Sequence, residues 1–294
     1  MSLTVVTVLH RSAPELAALL ASLDRHLPDR QLVVVDTGED DGGAALARRH
    51  GAEVLELREN PGFGAANNLG VTRARHEVTA LLNPDVVLLD GGLRCLADAA
   101  REQDALHVPA LHDPDGTPQR SVHPMPGTAR ELLPALLPGP LLPGALRRRA
   151  EPWRPGGRGA RTVGWAIAAA LVARTATLRA LGPFDADAFL HYEDLDLCLR
   201  AAAGGAPTVL HPAVVLEHLG GHSTGRAPSR LGDEARRRRV VVGARLGPQA
   251  LARDDAAQAL TFLTRGVRPG APGARARAQL AALRAARRGA APSA

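Results

Sequence analysis

Asn83-Pro84-Asp85 and Glu193-Asp194 are the two places where the spacing of acidic residues could carry chemistry. Asn83-Pro84-Asp85 closes the apolar run Val78–Leu82 and cannot extend it, because proline lacks an N–H and restrains the residue before it. A carboxylate on such a turn suits a hard divalent cation shared with a diphosphate, since magnesium and manganese take one or two protein carboxylates plus phosphate oxygens. The same turn would also form around an Asp that only caps the next segment. Glu193 and Asp194 open a helical pattern that continues through Leu195, Leu197, Leu199 and Arg200. The positive end of a helix dipole accounts for one acidic residue there. It accounts less well for Glu193, Asp194 and Asp196 together, a crowding that a cation or a proton-accepting role would compensate. His218 follows an apolar run and precedes a Gly-Gly turn. Its type fits a packed or capping residue first, with a ligand completing a manganese site otherwise built of oxygens as the alternative. Finally, Asn60-Pro61-Gly62-Phe63-Gly64-Ala65-Ala66-Asn67-Asn68 puts small residues where a helix begins, so that backbone can approach an anion closely.

Alternating elements must position these groups. Leu3–Leu9 is a β-branched apolar run suited to a strand buried on both faces. Ser12 then stands as an N-cap with Pro14 in the first turn and Glu15 three residues on, and Leu16, Leu19, Leu20 and Leu23 recur at helical spacing. A second strand at Leu32–Val35 stops at Asp36, a helix runs from Gly43 to His50, and a third strand covers Val54–Leu57. A helix over Gly62–Arg75 leads to the fourth strand at Val78–Leu82. Strands alternating with crossover helices predict an α/β fold: a single Rossmann-like, mainly parallel twisted sheet covered on both faces. In such sheets ligands bind beyond the carboxyl ends of the strands. His10, Asp36, Asn60 and Asn83-Asp85 all fall there.

After His112 the periodicity dissolves into a Pro/Gly-rich excursion, assigned to 111–160. Order resumes in an apolar segment at Thr162–Val172 that holds Trp165, followed by a turn at Gly182-Pro183-Phe184-Asp185 and a helix from Glu193. Strands around Pro207–Leu210 and Ala213–Glu217 lead to His218, and short helices finish the chain. The organisation expected is one domain over 1–245 and a helical, basic tail over 246–294.

The composition bounds the partners. Aromatic residues are 2% of the 294, which argues against nucleic-acid binding on stacked rings. All 36 basic residues are Arg, as a coding bias would produce, so the net charge of +6 is discounted as a sign of a polyanion partner. Arg236-Arg237-Arg238-Arg239 and the stretch Arg275–Arg288 read first as a solvated charged helix, with anionic lipid or phosphate as the alternative. Cys95 and Cys198 read as free buried thiols in a reducing compartment. No apolar run approaches the roughly 20 residues that span a bilayer, and no signal peptide is recognisable. The expected location is cytoplasmic, with the inner face of the membrane as a peripheral option.

In order along the chain, Val33-Val34-Val35-Asp36, Asn60 to Asn67, Leu82-Asn83-Pro84-Asp85, Gly164-Trp165, Tyr192 to Arg200 and His218-Leu219-Gly220-Gly221-His222-Ser223-Thr224 resemble the family 2 glycosyltransferases with the A-type fold. The resemblance is to the bacterial rhamnosyltransferase-like branch and covers about Leu3 to Gly243. It implies that Asp36 binds the donor base, and that His10, Asn60, Gly64, Asn67, Asn83 and Trp165 shape the donor site. It further implies that Asp85 and His218 hold Mn2+ or Mg2+, and that Asp194 is the catalytic base with Glu193 in support. The reaction implied is single displacement with inversion. Three departures bear on the donor. His10-Arg11 replaces the family's Tyr-Asn, Thr37–Gly42 replaces its Asn-x-Ser-x-Asp-Gly loop, and Ala168 stands where a Gly is frequent. Rhamnose from a dTDP donor is the weighted expectation, with UDP- or GDP-linked sugars as alternatives. The expected acceptor is a saccharide, a polyprenyl-linked saccharide of cell wall polysaccharide biosynthesis or a small molecule.

Two other classes compete. A non-catalytic relative acting as a nucleotide- or saccharide-binding partner subunit would accommodate the altered loops at His10 and Thr37, but would not require Glu193-Asp194 and His218 together. A nucleotidyltransferase needs a Gly-rich basic loop directly after the first strand, and a dinucleotide-binding enzyme needs its Gly fingerprint there. His10-Arg11-Ser12 provides neither.

Overall fold

The computed structural model describes residues 2–38, 40–136, 151–153, 159–182, 184, 192–220 and 229–289. The amino-terminal alternation is realised as β1 (Thr4–Leu9), α1 (Ala13–His26), β2 (Gln31–Asp36), α2 (Gly43–Arg49), β3 (Glu53–Glu56), α3 (Phe63–Thr72) and β4 (Val78–Leu82). β1 and β4 are buried along their whole length, as their unbroken Val/Leu/Thr/Ala runs require of strands covered on both faces. The four α1 leucines, Leu16, Leu19, Leu20 and Leu23, are fully buried in the principal core with Leu3, Val5 and Val34. On α3, Gly70 lets the helix approach the sheet: a Cβ there would lie 2.3 Å from Val6 Cγ1.

Beyond β4 the chain continues through β5 (Val86–Leu88), α4 (Gly92–Glu102), β6 (Leu106–His112), β7 (Val122–His123), α5 (Ala129–Leu136), β8 (Arg161–Val163), β9 (Trp165–Ala166), β10 (Ala170–Arg174), α6 (Thr175–Leu181), α7 (Glu193–Ala203) and β11 (Thr208–His218). Among the described residues the main sheet has nine strands in the order β3-β2-β1-β4-β10-β6-β11-β5, with β8 paired to β11. β3, β2, β1 and β4 run parallel, and so do β6 and β11; β10 and β5 are antiparallel insertions. The mainly parallel α/β architecture read from the sequence is therefore the one observed. Leu9 pairs with Asp36, Asp36 with Glu56, Leu82 with Ala170 and His112 with Glu217. These pairs line up along one edge, the carboxyl edge of the parallel strands.

Several local expectations are revised. Ser12 occupies the N-cap position of α1 without capping it, its hydroxyl donating instead to the His10 carbonyl at 3.0 Å. Asp41 does the capping: its carboxylate accepts the Ala13 N–H at 3.0 Å and the Gly43 N–H at 2.9 Å, so one side chain serves the starts of α1 and α2. The two strands expected either side of Pro212 are one strand, β11, whose register on β6 shifts between His211 and Val215. The apolar stretch Thr162–Val172 is divided among β8, β9 and β10. Cys198 is buried as expected and its thiol is pushed up to about 11 by burial, but Cys95 is exposed on the outer side of α4.

The chain separates into two compact units, 1–122 with 155–223, and 123–154 with 224–294. The second unit contains α5, α8 (Ser229–Gly266) and α9 (Gly270–Arg287). Where short helices were expected, α8 is long and is interrupted at Gly247 (φ 82°, ψ 175°), immediately before Pro248. The domain limit placed at 245 falls within α8. Arg238, in the run read as solvated, is buried: its guanidinium donates to Asp254 at 2.6 and 3.0 Å and to Glu131 at 2.7 Å. Arg239 pairs with Asp255. No helix among the described residues is long and apolar enough to cross a membrane.

Candidate functional site

The turn after β4 is built as its proline demands. Asn83 donates its N–H to the Ala169 carbonyl at 2.8 Å, and its own carbonyl accepts the Val86 N–H at 3.2 Å, closing a tight turn around Pro84 and Asp85. β5 then pairs antiparallel with the end of β11, Val86 opposite His218. This pairing brings the Asp85 carboxylate to 3.4 Å from His218 Nε2, both side chains mostly covered. The backbones are tied as well, the Leu219 N–H reaching the Asp85 carbonyl at 2.9 Å. Burial acts to raise the Asp85 pKa, but His218's hydrogen bond and charge, with the backbone N–H groups of Asp85 and Gly220, outweigh it. The carboxyl is held below its ordinary range and is ionised. Two residues 133 positions apart in sequence, singled out separately, are thus brought together.

α7 sorts its three acidic residues. Glu193 is buried; Asp196 is buried and accepts from Arg200 Nε at 2.7 Å one turn on, and Arg200 also donates to the Leu181 carbonyl. Asp194 is the one of the three that is partly exposed, with the Leu195 N–H on its Oδ1 at 2.7 Å. Crowding of carboxylates is therefore relieved in part by an arginine on the same helix. Tyr192, before the helix, adopts the left-handed conformation (φ 61°) that begins α7 sharply. Its ring lies 6.2 Å from that of Trp165. The short segment from Trp165 to Ala169 touches both candidate acidic sites: Trp165 meets Tyr192, while the Ala169 carbonyl holds the Asn83 N–H.

Further along the carboxyl edge, His10, Thr37 and Asn60 form one group. His10 Nδ1 lies 3.3 Å from Asn60 Nδ2 and 3.4 Å from both the Thr37 carbonyl and hydroxyl. Asn60 Oδ1 in turn accepts the Gly62 N–H at 2.8 Å, shaping the entry to α3. Asp36 is buried at the end of β2, its carboxylate accepting the Gly38 N–H at 3.0 Å. Burial raises its pKa against that hydrogen bond, with Asp41, Glu56 and Asp40 adding to the rise. Gly64 is buried in the first turn of α3. Asn67 is buried too, its amide turned back to the Phe63 carbonyl of its own helix at 3.0 Å. Its neighbour Asn68 grips the Phe184 backbone, donating to its carbonyl at 2.8 Å and accepting its N–H at 2.9 Å. Pro183, Asp185 and Gly221-His222-Ser223-Thr224, named in the sequence analysis, lie outside the described residues, as does most of 137–158.

Gln119 is a site residue that sequence reasoning passed over. It follows a turn in which the Gly116 N–H reaches the Asp113 carbonyl and the Asp113 N–H reaches the Thr117 carbonyl, each at 2.8 Å. This hairpin lays Gln119 back against Leu111 of β6, and its amide contacts the His218 ring nitrogen Nδ1 at 2.8 Å. The Asp-Pro-Asp-Gly sequence that makes the turn was a legible signal; its destination beside β11 was not. Among the described residues, Asp85 and His218 are not joined by a third His, Cys, Asp or Glu in a metal-binding group.

Residues 4–144 match the model of glycosyl transferase family 2. The chain is 30% identical over 250 residues to an N-acetylglucosaminyl-diphospho-decaprenol L-rhamnosyltransferase of Mycobacterium tuberculosis, covering 77% of this chain and 79% of the relative. Its fold is similar to that of the mannosyltransferase PcManGT from Pyrobaculum calidifontis in complex with GDP-Man and Mn2+, with a TM-score of 0.58 at 16% identity, over 97% of this chain and 85% of that one. It is also similar to S. aureus TarS 1–349 in complex with UDP-GlcNAc, with a TM-score of 0.52 at 13% identity, over 99% and 93% of the two chains.

Proposed function

This chain belongs to glycosyl transferase family 2, and we propose that it moves rhamnose or another deoxysugar from a nucleoside diphosphate donor to a lipid-linked saccharide, with inversion at the anomeric carbon. The sugar and acceptor class are supported by the M. tuberculosis relative, named for rhamnosyl transfer to a decaprenyl-diphosphate-linked N-acetylglucosamine. Among donors, dTDP-linked rhamnose comes first, ahead of UDP- and GDP-linked sugars. A lipid-linked acceptor would place the reaction at the cytoplasmic face of a membrane.

The observation that carries the reading is the 3.4 Å approach of Asp85 to His218 at the carboxyl edge of the sheet. One ionised carboxylate and one imidazole nitrogen make a donor set that fits a divalent cation whose other ligands are diphosphate oxygens. Asp85 and His218 would hold that Mn2+ or Mg2+, which when bound supplies positive charge to the departing diphosphate. Asp194 accepts the proton of the acceptor hydroxyl as its oxygen bonds to the anomeric carbon and the bond to the diphosphate breaks. Its partial exposure, beside a buried Glu193 and an Asp196 committed to Arg200, supports that choice. Asp36, His10 and Asn60 form the donor's nucleoside end, with Gly64, Asn67, Asn83 and Trp165 shaping its walls.

The test is transfer assayed by mass spectrometry. The full chain is incubated with dTDP-rhamnose, Mn2+ and a polyprenyl-diphosphate-linked N-acetylglucosamine. Formation of the rhamnosyl product supports the reading. Transfer from a different nucleotide sugar alone would overturn the donor assignment, and absence of transfer or hydrolysis of any nucleotide sugar would overturn the activity.

A further inference from the structure

The amide of Gln119 has an orientation that its surroundings dictate. Its nitrogen faces two groups that can only accept, Asp113 Oδ1 at 2.7 Å and the His218 carbonyl at 2.7 Å. The amide oxygen therefore faces His218 Nδ1, at 2.8 Å. An amide oxygen cannot donate, so Nδ1 must carry the ring proton. In the neutral ring this leaves Nε2 with a bare lone pair, directed at the ionised Asp85 carboxylate 3.4 Å away. Two electron-rich atoms facing each other at that distance repel unless positive charge lies between them, either a proton on Nε2 in the charged ring or a metal ion. Were Gln119 absent, the ring could place its proton on Nε2 instead and donate directly to Asp85, filling the position a cation would take.

We infer that Gln119 is a positioning residue: with Asp113 behind it, it fixes the Nδ1–H tautomer of His218 and so keeps Nε2 available for a divalent cation held with Asp85. The inference rests on the metal-dependent transfer proposed above. It gives a purpose to the hairpin after β6, whose Asp113 begins the turn and whose Gln119 returns beside β11. The chain Asp113–Gln119–His218 does with a relayed amide what a carboxylate does when it accepts directly from a ligand histidine. Removal of such outer partners typically weakens metal affinity about 10- to 100-fold.

The tautomer can be read without metal or substrate. In the full chain labelled with 15N-histidine, long-range 1H–15N spectra in alkaline buffer, where a free imidazole is neutral, should show His218 protonated on Nδ1. The resonance is assigned by its loss in His218→Gln. Gln119→Leu should move it toward the Nε2–H form. Mn2+ titration by electron paramagnetic resonance at fixed dTDP should show about 10- to 100-fold weaker binding in Gln119→Leu. A wild-type ring protonated on Nε2 overturns the inference whether or not any variant folds, as does an unchanged tautomer in folded Gln119→Leu. A tautomer that follows Gln119 in a protein that binds no Mn2+ upholds the positioning role and sinks the metal reading instead.

Discussion

Arg200 Nε donates to the Asp196 carboxylate at 2.7 Å, one turn along α7. That pair takes one of three clustered acids out of contention for proton transfer, and burial of Glu193 sets a second apart. Asp194 is left as the partly exposed carboxylate at the helix start. Asp194→Asn should therefore lower kcat about 10²–10⁴-fold while nucleoside diphosphate affinity, measured by calorimetry, stays at the wild-type value. Asp196→Asn should act differently, lowering stability by releasing Arg200, with activity per folded molecule retained. Wild-type turnover in Asp194→Asn would remove it from the reaction.

His218→Ala and Asp85→Ala test the cation site from both sides. Each should reduce the gain in nucleoside diphosphate affinity that Mn2+ confers, and the double variant should lose little more than either single one, because the two residues would act through one ion. Strictly additive losses would show that the two residues do not act through one shared ion, and an affinity indifferent to Mn2+ in the wild type would remove the cation site.

The parallel half of the sheet and its polar edge were legible because local pattern suffices there. Buried strands need continuous apolar runs, and Asp36 and Asn83 each end one abruptly. What escaped was whatever depends on distant partners. Arg238 and Arg239 look like a solvated basic run until Asp254 and Asp255, 16 residues on and across the break at Gly247, turn back to meet them. Gln119 sits in a stretch without periodicity, so its role appears only when β11 is placed beside β6. Cys95 and Cys198 both occupy helices, and only packing separates the exposed thiol from the buried one.

Gly70 marks the closest approach of α3 to the sheet. A methyl group there would sit 2.3 Å from Val6 Cγ1 and 3.3 Å from Val35 Cγ2, and Val6 and Val35 are completely buried strand residues without room to retreat. Gly70→Ala gains helix propensity, about 1 kcal/mol, but overpacking costs about 1–3 kcal/mol. The net expectation is destabilisation, read as a lower urea midpoint. The paired variant Gly70→Ala with Val6→Ala should recover part of the loss by opening the contact. A stabilised single variant would mean that α3 can lift from β1.

Glu131 ties α5 to α8 through Arg238, and it shares that guanidinium with Asp254. Burial, then the negative Asp254, push its carboxyl up to about 8 against the pull of Arg238 and the Gly127 N–H. One buried arginine is asked to balance two carboxylates, so the proton retained on Glu131 is part of the folded arrangement. Because the folded pKa lies above the ordinary value of 4.5, the folded form holds more protons than the unfolded chain between those two values. The stabilisation is thus complete below the unfolded pKa and is lost as pH rises through about 8. Glu131→Gln keeps a neutral side chain of the same shape at every pH and should flatten the dependence. Urea unfolding followed by far-ultraviolet circular dichroism between about pH 5 and about pH 9 checks it. The wild type should weaken from about pH 5 to about pH 8 and level off above it, and the variant should not. An identical slope in both would place the proton uptake elsewhere.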